Sequence, residues 1–225
     1  MPKRRIKLPV EAGSVGAILQ SAADQTHVIV LAHGAGANME HAHMAAIADA
    51  LAAVGIGSLR FNFPYMEAGK PRTDKPEICV SVFDAALDRL LKTGCTDPIL
   101  IGGHSFGGRM ATHAAAELSR GDIVGVVCFS FPLHMPKKPT TKRAAHLPAI
   151  SVPMLLLSGD RDGMIERDLI EPIVEDLPLA TLHWLHTADH SYKILKRTRT
   201  GPESVYDEAA RVLRGWSERT LAKPG

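Results

Sequence analysis

The segment Gly103-His104-Ser105-Phe106-Gly107 sets one hydroxyl between glycines in the pattern Gly-x-Ser-x-Gly. Its flanks carry more weight than the pattern. Pro98-Ile99-Leu100-Ile101-Gly102 before it is short, apolar and β-branched at two positions, as a buried strand is. Residues 109–118 after it are rich in helix formers. Strand, glycine turn and helix are the context of a nucleophile elbow, in which the turn is too sharp for side chains and the serine stands above the strand end. Helix N–H groups and the helix dipole there favour a developing oxyanion. A serine so placed can attack an acyl carbon if a base, an acid and two N–H donors surround it.

Those partners must come from other strand ends. After the apolar run Val28-Ile29-Val30-Leu31-Ala32 comes His33-Gly34-Ala35-Gly36-Ala37-Asn38, small enough for backbone to approach a ligand closely. The N–H of Ala35 is a candidate oxyanion donor beside that of Phe106, the residue after the nucleophile. Ser158-Gly159-Asp160-Arg161-Asp162-Gly163 offers two carboxylates. Asp162, in the turn proper, is favoured to orient a histidine; Asp160, nearer the strand end, is placed to cap or to pair with an arginine. His186-Thr187-Ala188-Asp189-His190-Ser191-Tyr192 offers two histidines. His186 ends the strand, whereas His190 lies in the loop that can reach over the sheet edge.

The elements that must position these residues alternate. Strand-like runs at 15–19, 28–32, 56–61, 98–102, 123–129, 154–157 and 181–185 are separated by helical patterns at 45–54, 77–92, 109–118 and 203–221. Continuous apolar strands between helices imply a mostly parallel central sheet with helices on both faces, an α/β fold whose ligands lie beyond the strand C-termini. No repeat or linker divides residues 1–225, which are expected to form one domain.

The order Ser105, Asp162, His190 is that of α/β-hydrolases. The motifs HGAGA, RFNFP, GHSFGGR, PLHMPKKP, SGDRDG and ADHSYK resemble the compact, lid-poor dienelactone-hydrolase-like branch of that superfamily. They resemble in particular a group that includes the hydrolase-like domain of a subunit of the non-specific-lethal chromatin acetyltransferase complex. The resemblance implies Asp162 as the acid and His190 as the base. A dienelactone hydrolase proper uses a cysteine where this chain has Ser105, so its substrate is not carried over.

Bulk properties exclude other classes. The 225 residues are 45% hydrophobic and 22% charged with a net charge of +2, which points to neither nucleic acid nor membrane as partner. The basic N-terminus has no apolar stretch of a secretory signal, and three widely spaced cysteines fit reduced thiols, so a cytoplasmic protein is expected. His33, His41 and His43 lack a completing carboxylate or cysteine, and no metal or cofactor is expected. Only about twenty residues separate Phe131 from Val152, too few for a large lid. Residues 64–76, 132–148 and 191–200 carry eleven Lys and Arg against Glu67 and Asp74, a basic rim in which Lys137 and Lys138 stand out. The expected function is a serine hydrolase acting on a small or extended ester or thioester, with an anionic substrate drawn by the rim. The alternative is a non-catalytic binding or scaffold protein on the same fold, against which three complete triad residues argue.

Overall fold

A computed structural model describes residues 2–11, 13–195 and 197–220. Eight strands form one sheet: β1 (Lys3–Val10), β2 (Gly13–Gln20), β3 (His27–Ala32), β4 (Ile56–Phe61), β5 (Ile99–His104), β6 (Ile123–Phe129), β7 (Met154–Gly159) and β8 (Ala180–Leu185). Their order is β1-β2-β4-β3-β5-β6-β7-β8. β1 pairs antiparallel with β2, β2 pairs antiparallel with β4, and the rest run parallel. Strands β3 to β7 are buried almost throughout, which is why they read as unbroken apolar runs rather than as alternation.

Helices α1 (Ala42–Ala53) and α6 (Val205–Thr220) cover one face, with Ile29, Leu31, Leu100, Val127 and Leu155 beneath them. Helices α3 (Pro76–Leu91) and α4 (Phe106–Glu117) cover the other, over Val28, Val30, Ile101, Val126 and Leu156. The short α2 (Pro64–Glu67) follows β4, and α5 (Arg167–Glu175) packs beside β8. Among the described residues no helix is long and apolar enough to cross a membrane.

Four elements differ from the sequence reading. Strand β1 lies where only a basic N-terminus was read; Ile6, Leu8 and Val10 alternate with exposed residues, and among the described residues only one of its edges is paired. Helix α5 contains Pro172, and α2 is a single turn, so neither makes a long periodic signal. Helix α4 begins at Phe106, three residues before the expected start, so Ser105 is its N-cap. The expected end of the last helix, Leu221, lies outside the described residues.

Between Phe131 and Val152 the chain forms two single-turn 3₁₀ helices, Lys142–Ala144 and Leu147–Ala149. Leu133, Ala144, Leu147 and Ile150 are buried in the core, so this segment packs down on the domain instead of forming a cap.

Candidate active site

The C-terminal ends of β3, β5, β7 and β8 converge on one cleft of about 730 Å³, lined by Ala35, Ser105, Phe106 and His190 among others. Ser105 has φ 52° and ψ −117°, a left-handed conformation that costs a non-glycine residue on the order of 1–3 kcal/mol. Its backbone is fixed on both sides: its N–H donates to the Phe129 carbonyl (2.9 Å), and its carbonyl accepts from Arg109 N–H (3.0 Å). The glycines around it answer to close approach. A Cβ on Gly103 would lie 2.5 Å from the Gly107 backbone and 2.6 Å from the Ala32 carbonyl oxygen. One on Gly107 would strike the Ala32 carbonyl, so helix α4 can sit this close to β3 only without side chains.

His190 Nε2 accepts from Ser105 Oγ at 2.7 Å, and His190 Nδ1 donates to Asp162 Oδ2 at 2.7 Å. The Asp162 side chain is fully buried, and its Oδ1 accepts from Met164 N–H at 2.8 Å. The three side chains thus form one hydrogen-bonded line across 85 positions of sequence. The second carboxylate–histidine pair is separate: His186 Nδ1 meets Asp160 Oδ2 at 2.9 Å, with the His186 side chain 69% exposed. Asp160 therefore pairs with a histidine rather than an arginine, because the end of β8 lies beside the end of β7.

The loop carrying His190 is held from three directions. Arg161 donates to the Thr187 carbonyl from its guanidinium (3.0 Å) and to the Ala188 carbonyl from its backbone (3.0 Å). Asp189 Oδ1 accepts from the N–H groups of Ser191 (2.8 Å) and Lys193 (3.0 Å). His104 Nε2 donates to the His190 carbonyl at 2.9 Å. Burial, followed by nearby His43, pushes His104 down to about 3, so this ring stays a neutral donor. The pentapeptide alone gives no sign of this bond, which joins residues 86 positions apart.

The oxyanion candidates sit on rigid supports. Phe106 opens α4, so its N–H has no acceptor within the helix. The Ala35 loop is tied down by Tyr65 Oη, which donates to the Ala35 carbonyl at 2.9 Å. His33 Nδ1 donates to the Gly34 carbonyl (2.8 Å), and its Nε2 accepts from Phe63 N–H (3.1 Å), joining the β3 and β4 loops. Burial pushes His33 down to about 4. His41 caps α1, its Nδ1 accepting from His43 N–H. His43 Nδ1 contacts Tyr206 Oη at 2.8 Å.

The basic rim divides. Arg72, Lys75 and Arg143 line the cleft, together with Arg109 from α4, and Asp74 is the acid among the lining residues. Lys137 and Lys138 are exposed on the turn bridged by Met135 and Lys138 and do not line it. Arg199 is drawn into the fold by Glu208 (2.6 Å), and Lys196 lies outside the described residues. Arg109 was read as a helix former and as the last residue of the motif GHSFGGR, with no role in the cleft; its place four residues after Ser105 was the available signal. Burial and then the neighbouring Arg143 guanidinium push Arg109 below the usual arginine range.

An eight-stranded, mostly parallel sheet with a tight strand–turn–helix at Ser105 and no large lid defines an α/β-hydrolase of the compact branch, as the sequence motifs implied. Residues 25–218 match the family described as alpha/beta hydrolase domain, and the chain belongs to that family. Among solved structures it is similar to a serine hydrolase without lid from Xanthomonas campestris, with 19% identity and a TM-score of 0.75 over 100% of this chain and 99% of that one. A dienelactone hydrolase from Anabaena variabilis shares 20% identity and a TM-score of 0.75, over 97% and 98% of the two chains. The esterase domain of a Rhodothermus marinus protein shares 17% identity and a TM-score of 0.73, over 99% and 100%.

Proposed function

We propose that this protein is a serine hydrolase of small or extended esters or thioesters, with Ser105, His190 and Asp162 as its triad. The observation that carries the reading is the Asp162–His190–Ser105 line, with two 2.7 Å hydrogen bonds at the mouth of a lined cleft. Ser105 Oγ attacks the acyl carbonyl carbon while His190 Nε2 takes the hydroxyl proton. The carbonyl electron pair moves onto oxygen, where the N–H groups of Phe106 and Ala35 receive it. As the C=O re-forms, the bond to the leaving alcohol or thiol breaks, and His190 returns the proton to that group. Water repeats the attack on the acyl-serine, with its proton passing through Nε2, and releases the acid and Ser105. Asp162 holds the tautomer with Nδ1 protonated and balances the charge on the imidazolium. The cycle calls for no cofactor.

Arg72, Lys75, Arg109 and Arg143 line the cleft against one acid, Asp74, which favours a substrate bearing negative charge. The segment 131–152, packed onto the core without a cap, suits substrates that need no long acyl shelter. The test is labelling by a fluorophosphonate together with hydrolysis of 4-nitrophenyl esters and acyl thioesters. The wild type should label and turn over, and Ser105→Ala should do neither while keeping its circular dichroism. Absence of labelling in folded wild type would favour a non-catalytic binding role on the same fold.

A further inference from the structure

Two half-buried guanidiniums enter the cleft from different elements. Arg109 stands one helical turn beyond Ser105 on α4, about 6 Å along the axis and on the same face. Arg143 comes from the 3₁₀ turn Lys142–Ala144, and its Nη1 donates to the Pro132 carbonyl at 3.2 Å. Among the described residues neither forms an ion pair, and Arg109 Nε is buried with no hydrogen-bond partner. Of the other arginines of low exposure, Arg60 gives its guanidinium to the Met39 carbonyl and Gln20 Oε1, away from the cleft, and two are neutralised by carboxylates. Arg120 is shared by Asp84, Asp88 and Asp122, and Arg199 meets Glu208. The acid that lines the cleft is occupied elsewhere: Asp74 Oδ2 accepts from Tyr65 N–H at 2.9 Å.

Two like charges desolvated in one cavity are unfavourable until an anion joins them. A guanidinium fork matches the planar carboxylate, with two parallel hydrogen bonds. Phe106, Pro132 and Met135 give the same cleft an apolar wall that suits an intervening methylene chain. A phosphate dianion, more strongly hydrated, would cost more to bring against that wall. We propose that Arg109 and Arg143 form a carboxylate subsite, so that the reaction at Ser105 is directed to esters whose acyl or alcohol chain carries a free carboxylate. This rests on the serine-hydrolase reading of the same cleft and deepens it by naming the substrate class.

The experiment compares matched esters by pH-stat. Monomethyl adipate against methyl hexanoate places the carboxylate on the acyl side. 3-Butyryloxypropanoate against propyl butyrate places it on the alcohol side. In at least one pair the carboxylate ester should have the higher kcat/KM, by about tenfold or more. Arg109→Met and Arg143→Gln should each cut that ratio by about 10- to 100-fold, the loss expected for one charge-assisted pair. Arg109→Lys and Arg143→Lys keep charge and length but not the fork; they should lower the ratio less, and they serve if the first variants fold poorly. Lys137→Gln with Lys138→Gln, outside the cleft, should leave the ratio as it is. A ratio near one in both pairs, with Ser105 still labelled by fluorophosphonate, would overturn the subsite and leave the hydrolase reading standing. So would Arg variants that lower both esters equally. If Ser105 neither labels nor turns over any ester, the hydrolase reading falls, and calorimetry with monomethyl adipate decides the subsite alone. Binding that Arg109→Met abolishes supports it, and no binding overturns it.

Discussion

Replacing Asp162 by Asn should remove catalysis through the tautomer of His190 rather than through any loss of shape. Asp162 uses both oxygens as acceptors, Oδ1 from Met164 N–H at 2.8 Å and Oδ2 from His190 Nδ1–H at 2.7 Å. An amide has only one acceptor to offer. If its oxygen turned to His190, its NH₂ would face the Met164 N–H in a place no water reaches. An orphaned donor there costs about 1–3 kcal/mol. The amide oxygen should therefore stay on Met164 and present NH₂ to His190. Nδ1 must then accept, the proton moves to Nε2, and Ser105 faces a donor where it needs a base. The same wrong-tautomer change in a serine protease lowers kcat by about 10⁴-fold. That corresponds to about 5.4 kcal/mol of barrier. Asp160→Asn should cost less than about fivefold, since the exposed His186 pair contributes under about 1 kcal/mol. Stopped-flow acylation with 4-nitrophenyl acetate and the rate of fluorophosphonate labelling measure both variants. If Asp160→Asn proved the more damaging, or if Asp162→Asn kept about a tenth of the wild-type rate, the orientation argument would be refuted.

Ser105→Gly should abolish turnover yet raise stability by about 1–2 kcal/mol in urea, because glycine relieves the left-handed strain at φ 52°; an unchanged midpoint would show the strain to be absorbed elsewhere. His104→Phe keeps a ring against His43 but removes the donor to the His190 carbonyl, so kcat should fall about tenfold with KM little changed; a KM effect alone would place His104 in binding instead. Burial holds His33, His43 and His146 down to about 4 and His104 to about 3, whereas the unfolded chain protonates its histidines near pH 6.5. The unfolded state then binds more protons between pH 6.5 and about 3, so stability should fall steadily as pH drops through that window, most of the loss falling above pH 4. Urea midpoints at pH 7, 6, 5 and 4 would show it, and a flat profile would mean these rings are not held neutral.

The parallel half of the sheet was legible because burial on both faces leaves nothing but apolar residues along each strand, as in Val28–Ala32 and Ile123–Phe129. β1 was hidden because its charged residues dominate the composition while Ile6, Leu8 and Val10 carry the strand signal at every second position. The residues proposed as a triad could be named from strand ends, since an α/β sheet brings those ends together whatever the loops contain. What the sequence does not carry is where long side chains end. Both aspartates of SGDRDG face a histidine, and only the fold separates the pair that reaches Ser105 from the pair that faces water. Lys137 and Lys138 share a loop with Arg143, yet only Arg143 turns into the cleft, because the turn at Met135–Lys138 points outward while the 3₁₀ turn packs on the core.

The clash that a side chain would cause at Gly103 or Gly107 involves backbone of β3 and α4, and none of it involves the serine hydroxyl between them. Selection on folding alone is therefore enough to preserve those two glycines. A descendant of this chain with alanine at 105 would still carry the glycine frame unaltered. In such lineages the frame is a fossil of sheet–helix contact and says nothing of enzymatic life. The informative trace is the joint survival of Ser105 Oγ, the His190 ring and the buried Asp162 carboxylate, because a histidine–carboxylate pair with no hydroxyl to serve can drift independently.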